Sequence, residues 1–158
     1  AVHVVLVRTF PPGRIAVAGA QADVEHGPLR DGHAEEVDVL GDDVVALLHK
    51  DSHCVAPLLW RSEFRNVLAL YLRKNIIDLD TAFAMQSQAE RQMADREYSV
   101  NSTSVLRLAE QSGCSAYDCE FVSVAAALNT RLITGDRKLI HAFPNIAMTA
   151  KEYLSSAR

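Results

Sequence analysis

Apolar positions change their spacing along this chain, and the change marks the elements. The opening VHVVLVRTF (2–10) is β-branched and predicts a strand, which the following Pro-Pro-Gly breaks. RIAVAGA (14–20) has the texture of a second short strand, whereas QADVEHGPLRDGHAEE (21–36) keeps neither a helical nor a strand period. From Asp42 the pattern sharpens. DDVVALLHKD predicts a short helix capped by Asp42, and HCVAP a short strand ending at Pro57, with Pro57 opening the next helix. That helix, PLLWRSEFRNVLALYLRKN, reaches about Asn75, where Arg73 and Lys74 complement the negative end of its dipole. TAFAMQSQAERQMADRE (81–97) predicts another helix, begun by Asp80 or Thr81, and YSVN a strand. STSVLRLAEQSG is a helix stopped by Gly113.

After Ser115 the order becomes helix (AYDCEFVSVAAALN), strand (RLIT), short helix (GDRKLIHAF), strand (IAMT) and helix (AKEYLSS). Elements alternating over short connections predict an α/β fold with a mostly parallel sheet flanked by helices. In such sheets ligands bind beyond the carboxyl ends of the strands. Asp136 follows RLIT at one of those ends.

Composition narrows the class. A length of 158 residues predicts one domain. No apolar run approaches the roughly 18 residues of a membrane span, and VHVVLV lacks the basic flank of a signal peptide. The three cysteines, Cys54, Cys114 and Cys119, form no C-x-x-C and predict buried free thiols in a reducing cytoplasm. Residues 1–50 hold 4 basic and 8 acidic side chains, and the remainder holds 12 of each. The net charge of −4 is therefore N-terminal, and no basic nucleic-acid footprint shows at this level.

Three acids stand where burial is expected. At 100° per residue, Leu59 and Val67 lie about 40° to either side of Glu63, and Leu70 about 20° away. Glu63 then either reaches the helix edge and pairs with arginine or binds a metal. Asp118 lies on the side of Val122 and Ala125; S-A-Y-D (115–118) also fits a capping box. Asp136 is equally a helix N-cap. Taken together, the three carboxylates suit a hard cation such as Mg²⁺ or Mn²⁺, which offsets their mutual repulsion. Such an ion lowers the pKa of water and stabilises charge on a phosphodiester. Trp60, Phe64 and Tyr71 follow helical spacing and predict core or a protein–protein face. Arg61, Arg65, Arg137 and Lys138 either steer RNA phosphates or solvate helix faces.

APLLWRSEFRNVLALYLRK (56–74) followed by VLRLAEQSGCSAYDCEFVSVAAALNTRLITGDRKLIHAFP (105–144) resembles the PIN-domain ribonucleases, in particular the VapC toxins of bacterial type II toxin–antitoxin systems. The resemblance covers roughly residues 50–155. It implies a PIN-like three-layer fold and Mg²⁺- or Mn²⁺-dependent cleavage of single-stranded regions of RNA. It also implies an antitoxin partner whose C-terminal segment blocks the site, and a homodimer. Glu63, Asp118 and Asp136 match the family's second, third and fourth acids. The first acid, normally Asp-Thr-Asn or Asp-Ala-Ser after the first strand, has no counterpart: Arg8 stands in its place within VLVRTF. By spacing the expected position falls near Asp23. Three readings stay open: Asp23 substitutes as a fourth metal ligand, the chain is a degenerate member that only binds antitoxin or RNA, or residues 1–40 are read from a shifted frame. A receiver-like signalling domain, the remaining Mg²⁺-binding α/β class, lacks its acidic pair after strand one and its late lysine.

Overall fold

The computed structural model describes residues 4–7, 46–47 and 54–156. Within them the chain is mixed α/β, with short parallel strands and longer helices. The order is β1 (Val4–Val7), β2 (Ala56–Pro57), α1 (Trp60–Arg73), α2 (Leu79–Gln92), β3 (Glu97–Tyr98), α3 (Ser102–Ser112), α4 (Ala116–Ala127), β4 (Arg131–Thr134), α5 (Arg137–Ala142), β5 (Ala147–Met148) and α6 (Ala150–Ser155). The predicted strand at 14–20, the Asp42 cap and Asp23 lie outside the described residues; the predicted helix after Asp42 is represented by helical residues 46 and 47.

One sheet has the order β1-β4-β5, all parallel, with Val7 opposite Thr134 and Leu132 opposite Ala147. A second pairs β2 with β3, also parallel, and β2 lies beside β1. Pro57 sits in β2, not at the head of α1 as the sequence suggested. The N–H groups of Ala56 and Leu58 donate to the carbonyls of Arg96 and Tyr98, so the intervening proline nitrogen faces away from that ladder and costs it nothing. The helix starts three residues later, without a side-chain cap, at Trp60.

Backbone handedness ends the two long helices. Asn75 (φ 54°) follows α1 and Asp95 (φ 64°) follows α2, both in the left-handed region that Asn and Asp tolerate. The second helix therefore stops at Gln92, short of the predicted Glu97, which becomes the first residue of β3. Gly113 (φ 64°) closes α3, as its glycine predicts.

The main core is built around α4. Cys119, Phe121, Val122, Ser123, Val124 and Ala125 are consecutive or nearly so, and all are buried. A helix apolar on every side has to be covered on every side. Here α3, β1, β2 and β4 surround it. Two smaller clusters flank this core. Phe64, Leu68 and Tyr71 of α1 meet Ala82, Met85 and Ala89 of α2, and Leu47 with Cys54 packs on Ile133 and Tyr153. All three cysteines are buried and free, as their number and spacing predict.

One ion pair ties the helical hairpin to β3. The Arg61 guanidinium grips Glu97 through two hydrogen bonds of 2.6 Å each, and the Trp60 indole donates to the same carboxylate at 2.7 Å. Glu90 lies 3.5 Å from the other side of Arg61. These bonds, chiefly that from Arg61, hold the Glu97 carboxyl below its ordinary value near 4.5. A carboxyl with a depressed folded-state pKa stabilises the fold above its unfolded value and loses that contribution as pH falls through the folded one. Glu97→Gln is therefore expected to lower stability by about 1–3 kcal/mol at neutral pH. It should also flatten the drop in melting temperature below about pH 4.5. Thermal unfolding of both proteins across pH 3–7 measures this; parallel curves would contradict it.

Candidate active site

The three acids stand near the ends of elements. Among the described residues the strand pairs are parallel, so the carboxyl ends of β1, β4 and β5 share a side in one sheet, and those of β2 and β3 share a side in the other. Asp136 comes two residues after β4. Glu63 is in the first turn of α1, which follows β2. Asp118 is in the first turn of α4, whose other end feeds β4. Twelve helical residues rise about 18 Å, so the first turn of α4 lies well toward the carboxyl edge. In parallel sheets ligands bind beyond the carboxyl ends of the strands, and Asp136 lies just past the carboxyl end of β4.

Local chemistry holds two of the carboxylates. Ser115 caps α4: its hydroxyl accepts the Asp118 N–H at 3.1 Å and donates to the Asp118 carboxylate at 2.6 Å. Asp136 caps α5, one oxygen accepting the N–H groups of Lys138 (2.8 Å) and Leu139 (3.3 Å). The Asp136 N–H in turn donates to the buried hydroxyl of Thr134 at 3.0 Å. The Asp136 cap read from sequence is present; of the 115–118 capping box, the Ser115 half is present and the Asp118 carboxylate meets the Ser115 hydroxyl. Neither conflicts with a second role, since a carboxylate offers about four acceptor sites.

Glu63 is half-buried at the margin of its helix's core face. The fully buried stripe is Phe64, Leu68 and Tyr71; Val67 and Leu70, the neighbours named from sequence, are only half-buried. The apolar face is turned one residue from the sequence estimate because α2 covers α1 on that side. The first turn of α1 reaches the main core through Leu59 and Trp60, which pack on the cluster containing Phe121 and Val122.

Asp118 and Asp136 belong to segments in direct contact. The Lys138 ammonium donates to the Gly113 carbonyl at 2.6 Å, joining the start of α5 to the turn before α4. Burial pushes up the thiol of Cys119, next to Asp118 in sequence, while a hydrogen bond with Ser112 lowers it and Asp118 and Lys138 act on it with opposite sign. Glu63 is not gathered with Asp118 and Asp136: among the described residues no three His, Cys, Asp or Glu side chains stand close enough to hold a metal ion. The donor chemistry, carboxylate oxygen throughout, suits Mg²⁺ or Mn²⁺.

Two basic side chains change roles from the sequence reading. Arg61 is committed to Glu97 and Glu90, and Lys138 to the Gly113 carbonyl. Arg65 donates to Ser62 on an exposed face and Arg137 is exposed, so both remain accessible to an anionic ligand. Tyr117, beside Asp118, is 63% exposed, although residues 121–125 of the same helix are buried; helical spacing had drawn attention only to Trp60, Phe64 and Tyr71. Burial also pushes up the Glu120 carboxyl, but Glu120 lies about 200° round α4 from Asp118. No protein-family model matches the chain, and no curated protein matches it.

Proposed function

We propose that this chain is a Mg²⁺- or Mn²⁺-dependent endoribonuclease with a PIN-like three-layer fold, the toxin of a type II toxin–antitoxin pair. What supports the reading is that Asp118 and Asp136 each stand at a helix start, on segments that the Lys138–Gly113 hydrogen bond joins, with Asp136 just past the carboxyl end of β4; Glu63 is the third acid of the set the resemblance names. The S-A-Y-D and T-G-D-R-K-L motifs supply two of those acids in the order the VapC-like resemblance requires.

Glu63, Asp118 and Asp136 would hold the cation, with Asp23 as a fourth ligand. When bound, the ion makes water a better nucleophile and offsets charge developing on the phosphate. The chain's own groups orient the carboxylates: Ser115 fixes Asp118, and the amides of Lys138 and Leu139 fix Asp136. Exposed Arg65 and Arg137 attract the RNA backbone. An antitoxin and a second copy of the chain are the protein partners proposed. Leu79 and Phe83, exposed one turn apart on α2, give the hairpin an apolar surface of the kind such partners cover.

A second reading has its own support. Val7 ends β1 opposite Thr134, and the residues that follow it in sequence are Arg8, Thr9 and Phe10, none acidic. A chain lacking the first acid would bind RNA or antitoxin without cleaving. The deciding experiment incubates the purified chain with labelled single-stranded RNA in Mg²⁺, Mn²⁺ or EDTA. Cleavage that requires the metal supports the enzyme. Retained RNA without cleavage supports the binding protein, and neither cleavage nor binding contradicts both.

A further inference from the structure

We infer that the outer face of α2 is a surface on which two copies of this chain pack as an antiparallel helix pair, related by a two-fold axis. The inference rests on the second-copy partner proposed above and gives it a surface and a register; it needs neither RNA cleavage nor a bound cation. The inner face of α2 is occupied by α1: Ala82, Met85 and Ala89 are buried against Phe64, Leu68 and Tyr71. At 100° per residue the opposite side carries Asp80, Ala84, Ser87 and Arg91 within about 60° of one another, all of them exposed. Phe83 and Leu79 lie along one flank of that stripe, about 40° and 80° from Ser87, and are 59% and 53% exposed. Two large apolar side chains one turn apart leave area in water that association would remove.

Charge says what covers this face. Asp80 stands in the first turn of α2 and Arg91 in the last, about 16 Å apart along the axis. A second α2, turned end for end about a point between residues 85 and 86, sets its Arg91 opposite Asp80 and its Asp80 opposite Arg91. One rotation therefore pairs both charges, whereas a parallel pair in register would set like charges together. The same rotation places Ala84 opposite Ser87 of the second copy. Small side chains at the crossing let the helix axes approach to about 8 Å, so that Phe83 and Leu79 of each copy reach the other helix. A patch complementary to itself under a half-turn is what an isologous interface requires. The apolar area supplies the affinity, and the exposed ion pairs set the register.

Sedimentation equilibrium of the full chain tests this, for wild type, Phe83→Asp, Asp80→Arg, Arg91→Asp and the double variant Asp80→Arg/Arg91→Asp. All three positions are exposed, so each variant should fold, which circular dichroism checks. The wild type is expected to dimerise with concentration, and Phe83→Asp to weaken the dimer by about 100-fold or more. Each single charge reversal sets like charges opposite in both pairs and should weaken it about tenfold. The double variant restores opposite charges and should return to within about threefold of wild type. A wild type still monomeric at about 0.1 mM overturns the inference and leaves the face to a different protein. So does a dimer that Phe83→Asp leaves intact, or a double variant that associates no better than the singles. Charges that serve only their own helix ends would shift the melting temperature and leave association unchanged, which overturns it as well. RNA and metal enter none of these measurements, so failure of the ribonuclease reading and failure of this one are told apart.

Discussion

Under the proposed ribonuclease reading, Asp118→Asn and Asp136→Asn are each expected to reduce metal-dependent RNA cleavage by about 10²–10³-fold while leaving the fold intact. The size follows from several kcal/mol of charge stabilisation by a bound cation, at about 1.4 kcal/mol per factor of ten. Asparagine is the informative replacement because it keeps what the structure uses and removes what a cation needs. At position 136 its carbonyl still accepts the Lys138 and Leu139 N–H groups, and Asn caps helices as well as Asp does. At position 118 it still accepts the Ser115 hydroxyl. If these acids only cap helices, both variants will cleave like wild type. If they hold a cation, each single variant will lose most of the activity and the double variant little more, because ligands of one ion act as a unit. Initial rates at saturating Mg²⁺, with melting temperatures alongside, separate the two. Full activity in both variants would end the case for a metal-centred site here.

The largest effect on stability is expected at Phe121. Its side chain is 1% exposed in the helix that α3, β1, β2 and β4 all cover. Phe121→Ala removes a ring that close packing cannot replace, at a cost of about 3–5 kcal/mol. For a chain of this size that corresponds to a fall in melting temperature of roughly 10 °C or more. Leu106 is the contrast. It is also a large apolar side chain, but 65% exposed on α3, and Leu106→Ala should change stability by no more than about 0.5 kcal/mol. Differential scanning calorimetry of the two variants tests whether α4 is the central element. Similar melting temperatures for both would contradict the packing described.

Elements with their own local signals were readable in advance. Ser115 and Gly113 mark the start of α4 and the end of α3, and each performs the capping role its chemistry suggests, whereas Asn101, read as strand, caps α3. RLIT and IAMT appear as β4 and β5, and the helices of 102–112, 116–127, 137–142 and 150–155 fall where apolar spacing and caps predict them. Errors arose where local preference was shared between two structures. Pro57 suits a helix start and an edge strand equally, and the neighbouring chain decides between them. Glu97 continued an apparently helical run, but the left-handed turn at Asp95 and the pull of Arg61 and Trp60 made it strand. Tyr117 was passed over because its spacing resembles that of its buried neighbours; only the packing of α4 reveals that it faces out.

The candidate site divides along the same line. Residue identity and spacing alone singled out Glu63, Asp118 and Asp136, because a carboxylate in an apolar run or at an element's end carries a cost that calls for a partner. They also made the parallel α/β class legible, since alternating elements over short connections leave few other arrangements. The sequence could not say that Arg61 is already engaged by Glu97, or that Lys138 bridges two loops. Those facts depend on contacts between residues 25 or more apart. Periodicity describes how a side chain stands relative to its own element, and only the packing of elements against one another determines what it meets.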